Sequence, residues 1–147
     1  MIDASFDFAR AEDLNAAADL LGECGLPYQD IHHHVAGLIL AKEGSRIVGS
    51  VACEAYADVG LLRSLAVRAG YRYRGLATEL FSRIVAHARS QRIGRLFLLT
   101  TTAQGFFAKR GFEVLSRNDA PSAIAATEEF RSLCPSTAVC MSRWLDV

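Results

Sequence analysis

The chain has 147 residues, a length typical of one domain, and 51% of them are hydrophobic, which excludes a disordered chain. Sixteen basic and sixteen acidic residues cancel, so the chain lacks the basic excess that is typical of nucleic-acid-binding proteins. The longest apolar run, around residues 35–41, is far shorter than the roughly 18 residues that a membrane span requires. We therefore expect a single domain over residues 1–147 that binds neither nucleic acids nor membranes.

The N-terminal stretch and the cysteines indicate the compartment. Residues 1–10 contain Asp3 and Asp7 and lack the apolar segment of a signal peptide. The four cysteines form no CxxC pair, which is typical of proteins in a reducing compartment. These features predict a cytoplasmic protein.

The first half of the chain is predicted to contain two helices, a hairpin and a further strand. Apolar residues recur at helical spacing after residue 11, and Gly25 and Pro27 end that helix. A glycine at position 44 lies between two apolar runs and predicts the turn of the hairpin. The predicted elements are a helix at 11–24, a shorter helix at 28–34, the hairpin at 35–56 and a strand at 60–67.

The second half alternates helices and strands. Apolar residues between Leu76 and Ala88 form one stripe at helical spacing. Residues 95–100 are almost entirely apolar, which is typical of a strand that is covered on both faces. The predicted elements are a helix from 75, a strand at 95–100, a helix at 104–110, a strand from 112, a helix at 121–131 and a strand at 137–145. This order indicates a mixed α/β domain.

The segment R-x-x-G-x-A at 72–77, directly before the long helix, has the features of an anion site. A helix start exposes unpaired N–H groups and the positive end of the helix dipole, and phosphates bind there. Gly75 and Ala77 are small enough for a phosphate to approach the backbone. Four arginines and no acidic residue lie nearby: Arg63, Arg68, Arg72 and Arg74. We predict a phosphate or diphosphate site; the alternative is a solvated loop in which Gly75 only forms a turn.

Two motifs in this chain resemble those of the GNAT N-acetyltransferases. The strand at 60–67 followed by R-x-x-G-x-A at 72–77 is similar to the acyl-CoA-binding motif of that superfamily, and FFAKRGF at 106–112 is similar to its second signature. The resemblance spans nearly the whole chain. It implies a mixed central sheet with splayed parallel strands and flanking helices, with acetyl-CoA as the cosubstrate and a small-molecule amine as the acceptor. It also implies a homodimer, since members are commonly dimers.

A narrower resemblance is to a GNAT subgroup that is encoded in arsenic-resistance operons. It is carried by GLLRSLAV, FLLTTTAQGFFAKRGF and ATEEFRSLCPSTAVCM. Related enzymes from such operons acetylate amino-acid-like arsinate or phosphinate toxins. The resemblance thus implies an acceptor of that kind.

The family resemblance also implies which residues hold the cofactor. Backbone groups of Leu65–Val67 would pair with the pantetheine arm and polarise the thioester carbonyl. The amides from Tyr73 to Thr78, together with Arg72 and Arg74, would hold the diphosphate. The implied cofactor-binding residues are Leu65, Ala66, Val67, Arg72, Tyr73, Arg74, Gly75, Leu76, Ala77, Thr78, Thr100, Phe106, Phe107 and Lys109.

The chain departs from the family pattern at two positions. Many members carry tyrosine as the second aromatic residue of the second signature, where this chain has Phe107, which has no proton to give. Many members carry asparagine where this chain has Thr100. The general acid is therefore open between Tyr71, Tyr73, water and unaided departure of the thiolate, because a thiol has a pKa of only about 8.5.

The acceptor side is less well defined by the sequence. Glu54 is a candidate general base because it lies near the end of the second hairpin strand, where family members often place one. Glu23 and the histidines at 32–34 are alternatives. Ser64 is predicted to line the acceptor side, and Arg63 would hold a substrate carboxylate if it points inward.

Three other functions remain as alternatives. The run of histidines at 32–34 is a poor metal site, because consecutive side chains cannot converge on one ion, and we expect no metal. Cys134 and Cys140 would bind arsenic(III) through their thiols if they lay together, although they are more often small core residues. A non-catalytic acyl-CoA sensor is the third alternative, since Phe107 and Thr100 replace the usual signature residues.

Overall fold

The computed structural model describes residues 3–33 and 35–146, which form seven strands and four α-helices. The strands are β1 Ser5–Phe8, β2 Leu38–Glu43, β3 Arg46–Tyr56, β4 Val59–Val67, β5 Arg95–Thr100, β6 Glu113–Val114 and β7 Val139–Trp144. The helices are α1 Leu14–Glu23, α2 Leu76–Ser90, α3 Gln104–Ala108 and α4 Ser122–Ala125.

The seven strands form a mixed sheet in the order β1-β2-β3-β4-β5-β7-β6. Strands β4 and β5 pair in parallel, and their ladder joins Val59–Leu61 to Arg95–Phe97. The predicted mixed α/β fold is therefore confirmed. The chain divides into two compact units: Met1–Glu54 with Arg63–His87, and Ala55–Leu62 with Ala88–Val147.

The core of the first unit lies between α1 and the strands that follow it. Leu20 and Leu21 of α1 are fully buried and belong to one apolar cluster with Leu38 and Leu40 of β2. The predicted helix at 11–24 begins with a 3-10 turn and is α-helical only from Leu14.

Two predictions for the first unit need correction. The helix expected at 28–34 is a single 3-10 turn at Ile31–His33, and His34 lies outside the described residues. Strand β1 was not predicted, because it has only four residues and is mostly exposed. It pairs antiparallel with β2, from Ser5 opposite Lys42 to Phe8 opposite Ile39.

The second unit has a separate apolar core around Phe97, Ile124 and Phe130. The helix predicted at 121–131 is interrupted: α4 ends at Ala125, and a π-helical turn occupies Glu129–Leu133. The Thr127 hydroxyl donates to the Ile124 carbonyl and accepts the Phe130 N–H, so that a side chain takes part in the backbone hydrogen bonding at the break.

None of the helices in the described part of the chain is both long enough and apolar enough to cross a membrane. The longest of them, α2, has 15 residues.

We expect Leu20→Ala to lower the free energy of unfolding by about 2–5 kcal/mol, because it leaves a cavity in a fully packed core. Urea denaturation measures the change. The matched control is Asn15→Ala on the exposed face of the same helix, which should change stability by less than about 0.5 kcal/mol. Equal effects of the two substitutions would contradict the core assignment.

Candidate functional site

The loop between β4 and α2 contains three residues in the left-handed conformation. Gly70, Tyr73 and Gly75 have φ values of 92°, 65° and 85°. The Glu79 N–H donates to the Gly75 carbonyl at 3.1 Å, so Gly75 stands at the start of α2. A Cβ built on Gly75 meets nothing within 4 Å, so its positive φ, and not crowding by the protein, favours glycine there.

The four arginines near this loop divide into two groups. Arg68 is half-buried and has partners within the protein: its Nε donates to the Ile47 carbonyl at 3.0 Å and its Nη1 to Glu23 at 2.9 Å. Arg63 is buried. Arg72 and Arg74 are exposed, and they are the two arginines that remain accessible to an anion at the start of α2.

Arg72 connects the loop to the end of β4. Its Nε donates to the Val67 carbonyl at 3.0 Å, and its Nη2 lies 3.7 Å from the sulfur of Cys24. The Cys24 thiol also lies 3.7 Å from the Val67 carbonyl. The carbonyl of Val67 is therefore already a hydrogen-bond acceptor within the protein.

Arg63 forms a buried ion-pair cluster with two carboxylates. Its Nη1 and Nη2 donate to the two oxygens of Asp30, each at 2.7 Å. Its Nη1 also donates to Glu54 at 2.8 Å. The side chain of Arg63 is 1% exposed, and those of Asp30 and Glu54 are 11% and 13% exposed. Arg63 thus points inward and holds carboxylates, but they belong to the protein.

Ser64 has an unusual backbone conformation for a residue inside a strand. Its φ is 62°, in the left-handed region, and the residue is 7% exposed. The hydroxyl of Ser50, on β3, donates to the Ser64 carbonyl at 2.7 Å. The strand is therefore kinked immediately before Leu65–Val67.

The tyrosines of the loop have different surroundings. The Tyr71 hydroxyl donates to Glu43 at 2.7 Å, and this hydrogen bond raises the pKa of Tyr71. The Arg74 guanidinium lies 5.6 Å from the centre of the Tyr71 ring. Tyr73 is fully exposed. Of the two tyrosines, only Tyr71 is fixed by a hydrogen bond that holds its proton.

The second motif lies in the other unit. The Thr100 hydroxyl accepts the Ala103 N–H at 2.9 Å and so caps the turn before α3. Phe107 is buried against Phe112, with ring centres 5.5 Å apart, whereas Phe106 is half-buried under the guanidinium of Arg110 at 3.6 Å.

Lys109 is exposed at the end of α3. Phe107 therefore has a packing role in this unit, and Phe106 and Lys109 are more accessible than Phe107.

The thiols of the chain do not form a metal site in the described residues. Burial raises the pKa of Cys53 to about 12, with a smaller contribution from the Glu54 charge. Burial likewise raises the pKa of Cys140. No group of three or more histidine, cysteine or acidic residues that could hold a metal ion occurs among residues 3–33 and 35–146. His32 and His33 are exposed and contact each other.

Sequence reasoning missed two residues of this region. Asp30 was not singled out, because it lies 33 residues before Arg63 and no local pattern links the two. Ser50 was not singled out either, because a single buried serine in a strand carries no signal at the sequence level. Glu23, an alternative candidate base, is paired with Arg68.

Residues 5–112 match the model of the acetyltransferase (GNAT) family. Two similar relatives are amino-acid acetyltransferases. The one from Ectopseudomonas mendocina is 42% identical over 74 residues, which are 50% of this chain and 17% of the relative. The one from Pseudomonas syringae pv. tomato is 40% identical over 95 residues, 63% of this chain and 22% of the relative. The chain spans about a fifth of the length of these curated relatives.

Solved structures with the same fold include two that contain coenzyme A. N-acetylglutamate synthase from Neisseria gonorrhoeae, complexed with coenzyme A and N-acetyl-glutamate, is 24% identical with a TM-score of 0.84, covering 100% of this chain and 36% of that one. A Mycobacterium tuberculosis protein in complex with CoA is 20% identical with a TM-score of 0.80, covering 96% of this chain and 99% of that one. At these identities the likeness concerns the fold.

We expect Asp30→Ala to lower the free energy of unfolding by about 3–5 kcal/mol, because it removes the bidentate partner of a buried guanidinium. Urea denaturation with a fluorescence readout measures the loss. The control is Glu12→Ala, which removes an exposed pair with Arg10 and should cost about 0–1 kcal/mol. A loss for Asp30→Ala no larger than that of the control would show that the buried pair is not stabilising.

Proposed function

Because this chain belongs to the acetyltransferase (GNAT) family, we propose that it transfers the acetyl group of acetyl-CoA to the amine of a small molecule. The acceptor class that we propose is an amino acid or an amino-acid-like compound, which the relatives named as amino-acid acetyltransferases support. The observation that carries the proposal is the loop at 70–75, where three left-handed residues and two exposed arginines precede the start of α2.

The diphosphate of acetyl-CoA would bind at this helix start. Arg72 and Arg74 supply positive charge, and the start of a helix such as α2 presents N–H groups that lack intrahelical partners. Gly75 and Tyr73 give the loop the shape that exposes these groups. Backbone donors and guanidinium groups together are the usual partners of a diphosphate.

The pantetheine arm would follow β4 beyond the kink at Ser64. Backbone groups of Leu65 and Ala66 are the proposed partners, together with the N–H of Val67. The Val67 carbonyl is less suitable, because Arg72 already donates to it. Thr100, Phe106, Phe107 and Lys109 of the second motif remain proposed cofactor contacts.

The proposed chemistry is direct transfer. The neutral amine attacks the thioester carbon, a C–N bond forms, the C–S bond breaks, and CoA leaves as a thiolate. Backbone N–H groups at Leu65–Val67 would stabilise the oxyanion. The proton of the amine would pass to the Glu54 carboxylate, which Arg63 holds in one orientation at 2.8 Å.

No residue is proposed as a general acid. Phe107 has no hydroxyl, and the Tyr71 proton is committed to Glu43. A thiolate is a better leaving group than an alkoxide, because thiols are far more acidic than alcohols; a cysteine thiol, for example, has a pKa of about 8.5. Departure without protonation therefore completes the proposed reaction.

A finer candidate for the acceptor is an amino-acid-like arsinate or phosphinate. This choice rests on the resemblance of residues 60–67, 97–112 and 126–141 to the arsenic-operon subgroup. Arg63 is occupied by Asp30 and Glu54, so we do not assign it the acid group of such a substrate.

Incubation with acetyl-CoA, a panel of amines and a thiol reagent tests the proposed function. The panel contains amino acids, a phosphinate amino-acid analogue and simple amines without an acid group. We expect CoA release that depends on the amine and is greatest with the amino-acid-like compounds.

Glu54→Gln keeps an oxygen for Arg63 but removes the base, and it should lower kcat by about 100-fold.

The non-catalytic sensor gives a different result in the same assay. Tight binding of acetyl-CoA, without release of CoA in the presence of any amine, would favour that alternative. Unchanged kcat in the Glu54→Gln variant, with full activity of the parent, would remove Glu54 from the mechanism while leaving the transferase function intact.

We expect Gly75→Ala to weaken CoA binding about tenfold, because alanine at a φ of 85° is strained and the loop would relax away from its binding shape. Isothermal calorimetry measures the Kd. The matched control is Gly44→Ala in the β2–β3 turn, which also has a positive φ, of 61°, and open space at Cβ. Both variants should lose stability, but only the first should lose affinity. An unchanged Kd for Gly75→Ala would contradict the proposed diphosphate site.

A further inference from the structure

Ser64 differs from the other non-glycine residues of positive φ in the described chain. Ala57 and Arg92 lie in exposed turns, and Tyr73 lies in the exposed loop before α2. Ser64 is buried within β4. A left-handed residue inside a strand is energetically unfavourable and persists only where its surroundings hold it. The question is which neighbouring group does so.

The hydroxyl of Ser64 itself does not stabilise the left-handed conformation. Its Oγ is buried and makes no hydrogen bond within the described residues. The carbonyl of Ser64, by contrast, accepts a hydrogen bond of 2.7 Å from the Ser50 hydroxyl. Ser50 is fully buried, so no water competes for this bond. The left-handed conformation is thus supported from the neighbouring strand β3.

The residue next to Ser50, Gly49, has no room for a side chain. A Cβ on Gly49 would lie 3.2 Å from the Ala66 carbonyl and 2.9 Å from the Leu80 side chain. Glycine at this position therefore lets the segment after the kink and helix α2 approach β3 closely. Gly49 and Ser50 together define the path of residues 64–66.

We infer that Ser50 is a positioning residue of the acetyl-transfer site. Its hydroxyl keeps Ser64 left-handed, and the kink orients the backbone groups of Leu65 and Ala66 toward the pantetheine and the thioester carbonyl. A bulge-like kink leaves strand groups without a ladder partner, which is what a backbone binding site requires. The inference rests on the proposed function, because the reacting groups are those of acetyl-CoA.

Ser50→Ala removes the hydrogen bond between Ser50 and the Ser64 carbonyl. Without the hydroxyl the Ser64 carbonyl loses its partner, and the strand can relax toward the ordinary extended conformation. We expect kcat/KM for acetyl-CoA to fall about tenfold, and the affinity for CoA about fivefold, which corresponds to the loss of one buried hydrogen bond. The KM for the amine should stay within about twofold, because the Ser50 hydrogen bond is assigned no contact with the acceptor.

A second substitution separates positioning from a general loss of stability. Glycine adopts a positive φ without strain, so Ser50→Ala combined with Ser64→Gly should recover the kink and restore kcat/KM to within about threefold of the parent. The control is Ser142→Ala on β7: it removes another buried serine, whose hydroxyl accepts from Arg95, and CoA affinity should not change.

Two outcomes would overturn the inference. One is a Ser50→Ala variant whose CoA affinity and kcat/KM equal those of Ser142→Ala. The other is a double variant that remains as impaired as Ser50→Ala. If Ser50→Ala does not fold, the double variant decides: it should fold and bind CoA within about threefold of the parent, and a failure of either contradicts the inference.

Failure of the proposed function is distinguishable from failure of the inference. If the parent protein binds CoA but releases none from acetyl-CoA with any amine, transfer is absent and the calorimetric affinities alone test Ser50. If the parent transfers acetyl groups and the Ser50 variant is unimpaired, the transferase stands and the positioning role falls.

Discussion

The buried guanidinium of Arg63 imposes the strongest single constraint on the first unit. A charge with 1% of its side chain exposed must be paired, because removing it from water without a partner is very unfavourable. The partners come from two other segments: Asp30 precedes a 3-10 turn, and Glu54 lies near the end of β3. The ion pairs therefore fix a loop and a strand end against β4, directly before the kink at Ser64.

The parts of the fold that could be predicted from the sequence depend on local patterns. The apolar stripe of α2 and the almost entirely apolar β5 determine their own structure, and both elements occur within two residues of the expected bounds. The short β1 lacks such a pattern. Its four residues do not predict a strand by themselves, and β1 is a strand because it pairs with β2. At the break in the helix after residue 121 the Thr127 hydroxyl bonds to the backbone, a side-chain interaction that helical spacing does not reveal.

The site was predictable to the extent that it consists of consecutive residues. The motif at 72–77 predicts a glycine at the start of the long helix, and Gly75 stands at the start of α2. Its left-handed conformation was not predicted. The partners of Arg63 and the support of Ser64 join residues that are 14 to 33 positions apart, so spacing arguments could not find them. The roles of the individual residues in binding and catalysis remain predictions.

The hydrogen bond from Arg72 to the Val67 carbonyl has a mechanical consequence. One end of this side chain is anchored on the last residue of β4, while its backbone belongs to the loop that leads into α2. Swinging the loop outward would break that bond and expose the carbonyl. The loop and the end of β4 are therefore mechanically coupled, because a movement of either one changes the length of the Arg72–Val67 hydrogen bond.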